Sequence, residues 1–516
     1  MFFFDEGKKE QMRRFAAQVE LEIRRLEAGE DAGLRGAYCA FAMKDAKLKK
    51  HAGEAVRNRL ASMDRSRLLK LCERFRTFTS LEWSIDWKNV SIKQMQKELP
   101  EEVYRYALIL GSFHPNGYFR EQCVYAMGAQ KEFAFWLFPR VNDWVREVRE
   151  AAVKTLLLSL PVCGGTELLC CLPAYERLLS CRRRTEPQMK AIEEQMEAGL
   201  SRAMKEVESS QLFCLEQEVR RALYRQNGRF RFLSLSKLHD CHMMERENCS
   251  KQMLIKRILE HPDCTIDWAE QYLADPSAQV RKAAVEFRYE RTKASWPGLE
   301  RMLLDKSRGV REYAAYILER RSHFDIRGYY LSHLKDEQPS CAILGLSEYQ
   351  SRGNVQAFLD CLERSERKIL KCTLLALGSQ EDFSDEELLW NYLLDDRIEV
   401  SKAACLSIRK KGFRPGAGRI FAAYRNAKME HQRRYLLKLL LRESPWSRLP
   451  GLLRLYQRDL PEQEKYQVLS GIRSRTMYGK LPGSLQEEIV SALEESREEL
   501  PDGLEAEILY DMKFLI

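Results

Sequence analysis

A phrase returns about every 30 residues along this chain, and a fixed period of that length marks a repeat architecture before any other argument starts. It reads acidic residue, four variable positions, Val-Arg, two more, then Ala. The strict copies are Asp143, Val148, Arg149 and Ala152; Asp275, Val280, Arg281 and Ala284; and Asp305, Val310, Arg311 and Ala314. Val and Ala stand four apart, so they share one helix face. The acidic residue stands just ahead of that helix, where a carboxylate caps backbone N–H groups and meets the positive end of the dipole. The small Ala lets a neighbouring helix approach closely. An earlier apolar segment precedes each phrase, at 268–273, 299–304, 329–334, 355–362 and 388–394. Each unit therefore reads helix, tight turn, helix. One such unit cannot bury its apolar face alone and must stack on its neighbours.

Looser copies keep the phase. Asp336, Cys341 and Gly345 retain the acid and the small position, and Ser365, Leu370, Lys371 and Leu374 are weaker. Asp395, Val400 and Ala404 restore the pattern, with Ser401 in place of Arg. Upstream, His114, Phe119, Arg120 and Cys123 keep the spacing with His in the acidic slot, and so do His51, Val56, Arg57 and Leu60. Cys214, Val219, Arg220 and Leu223 fit between; Lys428, Arg433 and Leu437, then Pro461, Tyr466 and Ser470, continue downstream. Together these phrases predict roughly 13–15 helical pairs.

The strict phrases at 143–152, 275–284 and 305–314 resemble HEAT repeats, in the short bacterial form known from phycobilisome-lyase-type HEAT-like proteins. The resemblance implies an all-α, right-handed α-solenoid whose second helices line a concave surface. It is nearly silent on activity, because HEAT solenoids include scaffolds, transport factors, lyase subunits and a few DNA-repair enzymes.

A globular chain of 516 residues ordinarily splits into several domains, a limit that a solenoid escapes because each repeat touches only its neighbours. Only 16 prolines occur, with no Ser/Gly-rich tract. The expected organisation is N-terminal repeats over 1–160, irregular middle repeats with longer or inserted helices over 161–260, regular repeats over 261–480 and acidic capping helices over 481–516. The charged stretch 181–211 is the expected interruption, as a lengthened repeat or a protrusion that binds a partner. No apolar run approaches the length that spans a bilayer, and the Met1–Glu6 start carries no basic region ahead of an apolar stretch. Fifteen cysteines fall at helical positions where a small core residue fits, such as Cys123, Cys341 and Cys405. So many thiols point to a reducing, cytoplasmic setting without stable disulfides.

Charge is distributed unevenly. Residues 401–480 hold 19 Lys and Arg against five Asp and Glu, whereas 481–516 hold two against ten. Arg409, Lys410, Arg414, Arg419, Arg433, Arg434, Arg473 and Arg475 are the candidate basic groove. Such a groove concentrates anionic partners; an acidic protein, nucleic acid or an anionic membrane surface would each respond. A solvated face, or neutralisation by the acidic tail, is the alternative reading of the same charges. Tyr424, Tyr435, Trp446 and Tyr456 are the aromatics nearby, as base-stacking platforms or as core. Asp143 with Arg149, Asp275 with Arg281 and Asp305 with Arg311 are expected to form a structural ladder within or between units.

Four constellations offer chemistry. Asp86 between Trp83 and Trp87 resembles, in composition only, the carboxylate and Trp rings of HEAT-type alkylpurine DNA glycosylases; the alternative is a pair of Trp staples between helices. His239, Asp240, Cys241 and His242 with Cys249 are metal-ligand types at a spacing that matches no standard zinc site. Cys163 before Gly164-Gly165, with Cys170-Cys171, reads as a turn and core fillers rather than nucleophiles, since a nucleophile needs a paired base. His114-Pro115-Asn116-Gly117-Tyr118 reads as a turn between helices. Gly378 is placed as a helix C-cap. No phosphate loop, dinucleotide fingerprint or His-Glu-x-x-His motif occurs. The expectation is a non-enzymatic scaffold without cofactor or metal, which binds a macromolecule, most simply a protein, on its concave face rather than a small molecule. Nucleic-acid binding through 401–480, with DNA repair as its enzymatic form, and a lyase-like or chaperone subunit are the alternatives.

Overall fold

A computed structural model describes residues 3–75, 85–183, 185–456, 460–475 and 480–515, with side chains from Glu10 onward. Among these residues every regular element is an α- or 3₁₀-helix. The fold is an all-α solenoid, seen in two compact units, 1–265 and 266–516.

In the second unit the repeat is plainest. Helix Ala278–Thr292 packs on Arg308–Arg321, which packs on Ser340–Tyr349, then Arg367–Leu377, Ile398–Lys411 and Glu430–Leu440. Each strict phrase occupies the same slots of its helix: Val is the third residue, Arg the fourth and Ala the seventh. Val280, Ala284, Val310 and Ala314 are buried. Each valine so buried contributes about 1.5–2 kcal/mol of hydrophobic free energy, and the alanines keep the helix axes close.

In the first unit Ala46–Ala61 packs on Glu101–Gly111, Glu101–Gly111 on Gly117–Met127, and Gly117–Met127 on Arg146–Ser159. Gly165–Leu179, Gln217–Phe230 and Asn248–Leu259 continue as a second run. The irregular middle contains one long helix, Glu186–Glu206, packed on Gly165–Leu179 and Arg146–Ser159, followed by the short Ser209–Phe213.

Several sequence expectations need correction. The repeat Asp does not cap the helix. It sits two residues ahead of the N-cap and accepts that residue's N–H: Asp275 Oδ1 from Ser277 at 2.7 Å, Asp305 Oδ1 from Ser307 at 2.7 Å, Asp143 Oδ1 from Val145 at 3.0 Å. The carboxylate fixes the turn rather than the helix end. The segment before Asp305, Leu299–Leu304, is a 3₁₀-helix, as are Gln271–Ala274 and Phe138–Asn142.

Five looser phases shift; in Ser340–Tyr349 the third residue is Ala342 and not Cys341, and in Arg367–Leu377 it is Ile369 and not Leu370. His51 lies inside helix Ala46–Ala61; the third, fourth and seventh residues there are Leu48, Lys49 and Ala52. In Glu430–Leu440 the slots fall on Gln432, Arg433 and Leu436, so Arg433 holds the arginine slot and not the valine slot. Tyr466 is 75% exposed, which excludes it from the core-facing slot; Val468 is buried instead. Gly378 follows its helix with φ of −62°, not in the left-handed region. Its function is close approach, since a Cβ there would lie 2.4 Å from Ser407 Cβ. Cys341, read as core, is only half-buried.

Candidate interaction surface

The side chains that cross-link the repeats form a connected set. The slot-four arginine reaches back to the carbonyl of its own turn: Arg149 Nη1 to Asp143 O at 2.8 Å, Arg281 Nη1 to Asp275 O at 2.7 Å, Arg311 Nη1 to Asp305 O at 2.7 Å. Arg120 does the same with His114 O at 2.7 Å, and Arg433 with Ala427 O at 3.1 Å. In Arg281 and Arg120 the remaining donors reach forward to the acid of the next repeat, whereas Arg149 and Arg433 hold only carbonyls of their own turns. Arg281 grips both oxygens of Asp305, and Arg120 both oxygens of Asp143. Arg220 pairs with Glu245, and Lys49 with Glu98 at 2.5 Å.

Glu245 and Glu98 stand in acidic slots that the sequence reading missed. Glu245 precedes Ser250 and Leu254 in helix Asn248–Leu259, and Glu98 precedes Val103 and Ala107 in Glu101–Gly111. The signal was the five- and nine-residue spacing without the Val-Arg pair. Arg311 departs from the rule and takes Glu348 instead, at 2.6 Å from Nη2. These charges are buried with partners, which is how a buried ion is tolerated.

His114 shows why the acidic slot need not be acidic. Its Nδ1 accepts the N–H of Asn116 at 3.1 Å, the same bond that the Asp residues make. The residue is buried against Trp87 and Phe119. Burial, then the nearby Arg35 and Arg120, lower its pKa to about 3, so it works as a neutral acceptor.

The eight cations of the expected groove separate into different roles. Arg475 does not belong to a groove at all: its side chain is 2% exposed and bound to Asp511 at 2.7 Å and Glu507 at 2.6 Å. Arg419 is paired with Glu387 and lies 4.4 Å over Trp390. Arg434 is paired with Glu430. Arg433 and Arg414 donate to carbonyls of Ala427 and Arg442, and Lys410 to Ser379 Oγ at 2.7 Å. Arg409 and Arg473 are exposed and form no ion pair among the described residues. The acidic tail neutralises a further cation, Arg454, through Glu495 and Glu488.

A different set of cations is left over. Lys402 and Arg409 project from the exposed face of Ile398–Lys411, on either side of Leu406, which is 41% exposed. Lys438 projects from the neighbouring Glu430–Leu440, and half-buried Arg442 follows that helix. None of the four forms an ion pair among the described residues. Cys405 lies buried at their base, its Sγ 3.9 Å from Tyr435 O. Burial holds its thiol up at about 11, although Arg409, Lys438 and Arg442 each pull it down, which places those three cations around one point of the stack. Tyr424, Tyr435, Trp446 and Tyr456 are all buried, so none is a base-stacking platform.

Trp83 lies outside the described residues. Trp87 is 3% exposed, with its ring packed on His114 at 4.2 Å and Phe119 at 4.9 Å, and cannot cover a nucleotide. Asp86 is exposed and accepts from Asn89 Nδ2 at 2.6 Å. It borders a cavity of about 1130 Å³ shared with Phe15, Phe41, Met43, Lys49 and Met95, which Trp87 does not line. Among the described residues no three His, Cys, Asp or Glu side chains gather as a metal ion needs. Cys241 is buried, Cys249 exposed, and Asp240 accepts from Ser209 Oγ at 3.0 Å. Burial raises the thiols of Cys163, Cys170 and Cys171, Cys163 to about 11. None of the fifteen cysteines forms a disulfide. No helix among the described residues is long and apolar enough to cross a membrane.

No protein-family model matches this sequence, and no curated protein matches it either. Among solved structures, Kap121p bound to Pho4p is similar at 13% identity and a TM-score of 0.36, over 94% of this chain and 62% of that one. Kap121p bound to Nup53p is similar at 13% identity and a TM-score of 0.34, over 98% and 66%. A complex of Kap95p with RanGDP is similar at 12% identity and a TM-score of 0.30, over 97% and 69%. The chain thus spans less than two thirds of the Kap121p chains it matches.

Proposed function

We propose that this chain is a non-catalytic, HEAT-like scaffold that binds an acidic segment of a protein partner along the exposed faces of its second helices. The observation that carries the reading is the cluster Lys402, Arg409, Lys438 and Arg442, none of them in an ion pair among the described residues, set beside Arg419, Arg434 and Arg475, which carboxylates hold, and Arg433, which a carbonyl holds. A cation with no carboxylate partner keeps its charge for a partner outside, and of the four only Lys438 meets a ring among the described residues, that of Tyr435 at 5.6 Å. The flanking Leu406 adds apolar area to the same face. The burial of Tyr424, Tyr435, Trp446 and Tyr456 leaves these four without a face for a base, which favours a protein over single-stranded nucleic acid. The fifteen thiols fit a reducing, cytoplasmic compartment.

The test is fluorescence anisotropy with two labelled probes of equal charge, a 20-residue glutamate-rich peptide and a 20-nucleotide strand. Tighter binding of the peptide, lost in Lys402→Glu/Arg409→Glu/Lys438→Glu, supports the reading. Tighter binding of the strand, with the steep salt dependence of released counterions, replaces it with the nucleic-acid reading.

A further inference from the structure

Between helices Arg308–Arg321 and Ser340–Tyr349 lies a cavity of about 220 Å³. Its lining includes Tyr316, Tyr330, Tyr349, Glu319, Glu348 and Gly345. Gly345 lets the Tyr330 ring pack against the helix, since a Cβ there would lie 2.3 Å from that ring. Tyr330 forms a buried aromatic wall, and Tyr349 stands against it with ring centroids 6.4 Å apart. Tyr316 and Tyr349 are each 38% exposed at the mouth.

The lining of this space carries more carboxylates than cations. Arg311 is the one cation of the lining, against Glu312, Glu319 and Glu348. Its guanidinium is committed: Nε and Nη2 hold Glu348, and Nη1 holds the carbonyl of Asp305. Glu312 is matched from outside by Arg308 at 2.7 Å. Glu319 is left. It forms no ion pair among the described residues and lines the cavity beside Tyr349, whose hydroxyl is pushed up by burial first and by this carboxylate second. A carboxylate beside tyrosine hydroxyls and an aromatic wall is a receptor for an organic cation, since the ring face and the carboxylate both favour positive charge. The ring type already performs this function nearby: Arg320, which does not line the cavity, rests 4.6 Å over Tyr316.

We infer that this cavity binds an ammonium group, the side chain of a lysine presented by a protein partner, between Glu319 and the Tyr349 ring. The inference stands apart from the basic cluster of the later repeats, and either can fail alone.

Saturation-transfer NMR on the full chain tests it with three probes: n-butylammonium, uncharged n-pentanol, and a capped peptide with one central lysine. The expected result is transfer to butylammonium and the lysine peptide but not to pentanol, with the peptide binding more tightly than the free amine. Glu319→Gln, an exposed position whose loss spares the fold, should weaken both by about fivefold. Tyr349→Leu should do likewise with an unchanged helical circular-dichroism spectrum. Equal transfer to pentanol, or affinity unchanged in Glu319→Gln, overturns the ammonium site. An amine that binds as tightly as the peptide overturns the protein partner as its source.

Discussion

Arg281 holds both carboxylate oxygens of Asp305 at 2.7 and 2.6 Å, while its third nitrogen holds the carbonyl of Asp275 at 2.7 Å. One side chain thus fixes its own turn and the turn of the next repeat, 24 residues ahead of it. The side chains of the pair are 12% and 8% exposed, so removing one partner strands a buried charge. Arg281→Met should cost about 3 kcal/mol. Pairing it with Asp305→Asn should recover part of that, with a coupling of about 2 kcal/mol. Arg308→Ala, which removes an exposed i,i+4 pair, should cost no more than about 0.5 kcal/mol. Amide hydrogen exchange in helix Arg308–Arg321 reads all three.

The neutral His114 gives a pH dependence of definite sign. Its pKa is about 3 in the fold and about 6.5 in the unfolded chain. The stability it contributes is complete above the unfolded value and is lost as pH falls toward the folded one. Between pH 7 and pH 5 that loss amounts to about 2 kcal/mol. His114→Asn keeps an acceptor for the Asn116 N–H and removes the titration. Urea unfolding of the two proteins at pH 7 and pH 5 should show the wild type losing that much more than the variant.

Glycine positions separate packing from propensity. Gly378→Ala forces a Cβ to 2.4 Å from Ser407 and should destabilise by about 1–3 kcal/mol. Gly418, inside helix Ala417–Asn426, has nothing within 4 Å of a built Cβ. Gly418→Ala should therefore stabilise by about 0.4–1 kcal/mol. Thermal unfolding of both variants gives the two signs.

Arg475 should behave as a core residue. Its bonds to Asp511 and Glu507 tie it to the terminal helix Leu504–Met512. Arg475→Gln should lower stability by about 3 kcal/mol while leaving the affinity for the acidic peptide within twofold, about 0.4 kcal/mol.

The repeat was legible wherever Val and Arg stand together, because burial at the third and seventh helical positions leaves an apolar trace in sequence. It was misread at His51 because helix Ala46–Ala61 runs 16 residues. A long helix presents its buried face more than once, at Leu48 and Ala52 and again at Val56 and Leu60. It slipped by one at Lys428 because the valine slot holds Gln432, a buried amide satisfied by Leu394 O at 2.7 Å. Hydropathy carries no sign of that bond. The division of the cations was not legible at all. Arg419 and Lys402 look alike in sequence, and only folding brings Glu387 to the first and no carboxylate to the second.

The most direct measurement of the account is one variant, Lys402→Glu/Arg409→Glu/Lys438→Glu, followed by two readouts, anisotropy with the glutamate-rich peptide and urea unfolding. Peptide binding is expected to disappear while the unfolding midpoint stays within error, since these exposed side chains form no ion pair among the described residues and only Lys438 meets a ring, that of Tyr435 at 5.6 Å. Binding that persists in the folded variant would contradict it, and would move the partner to another face of the repeats.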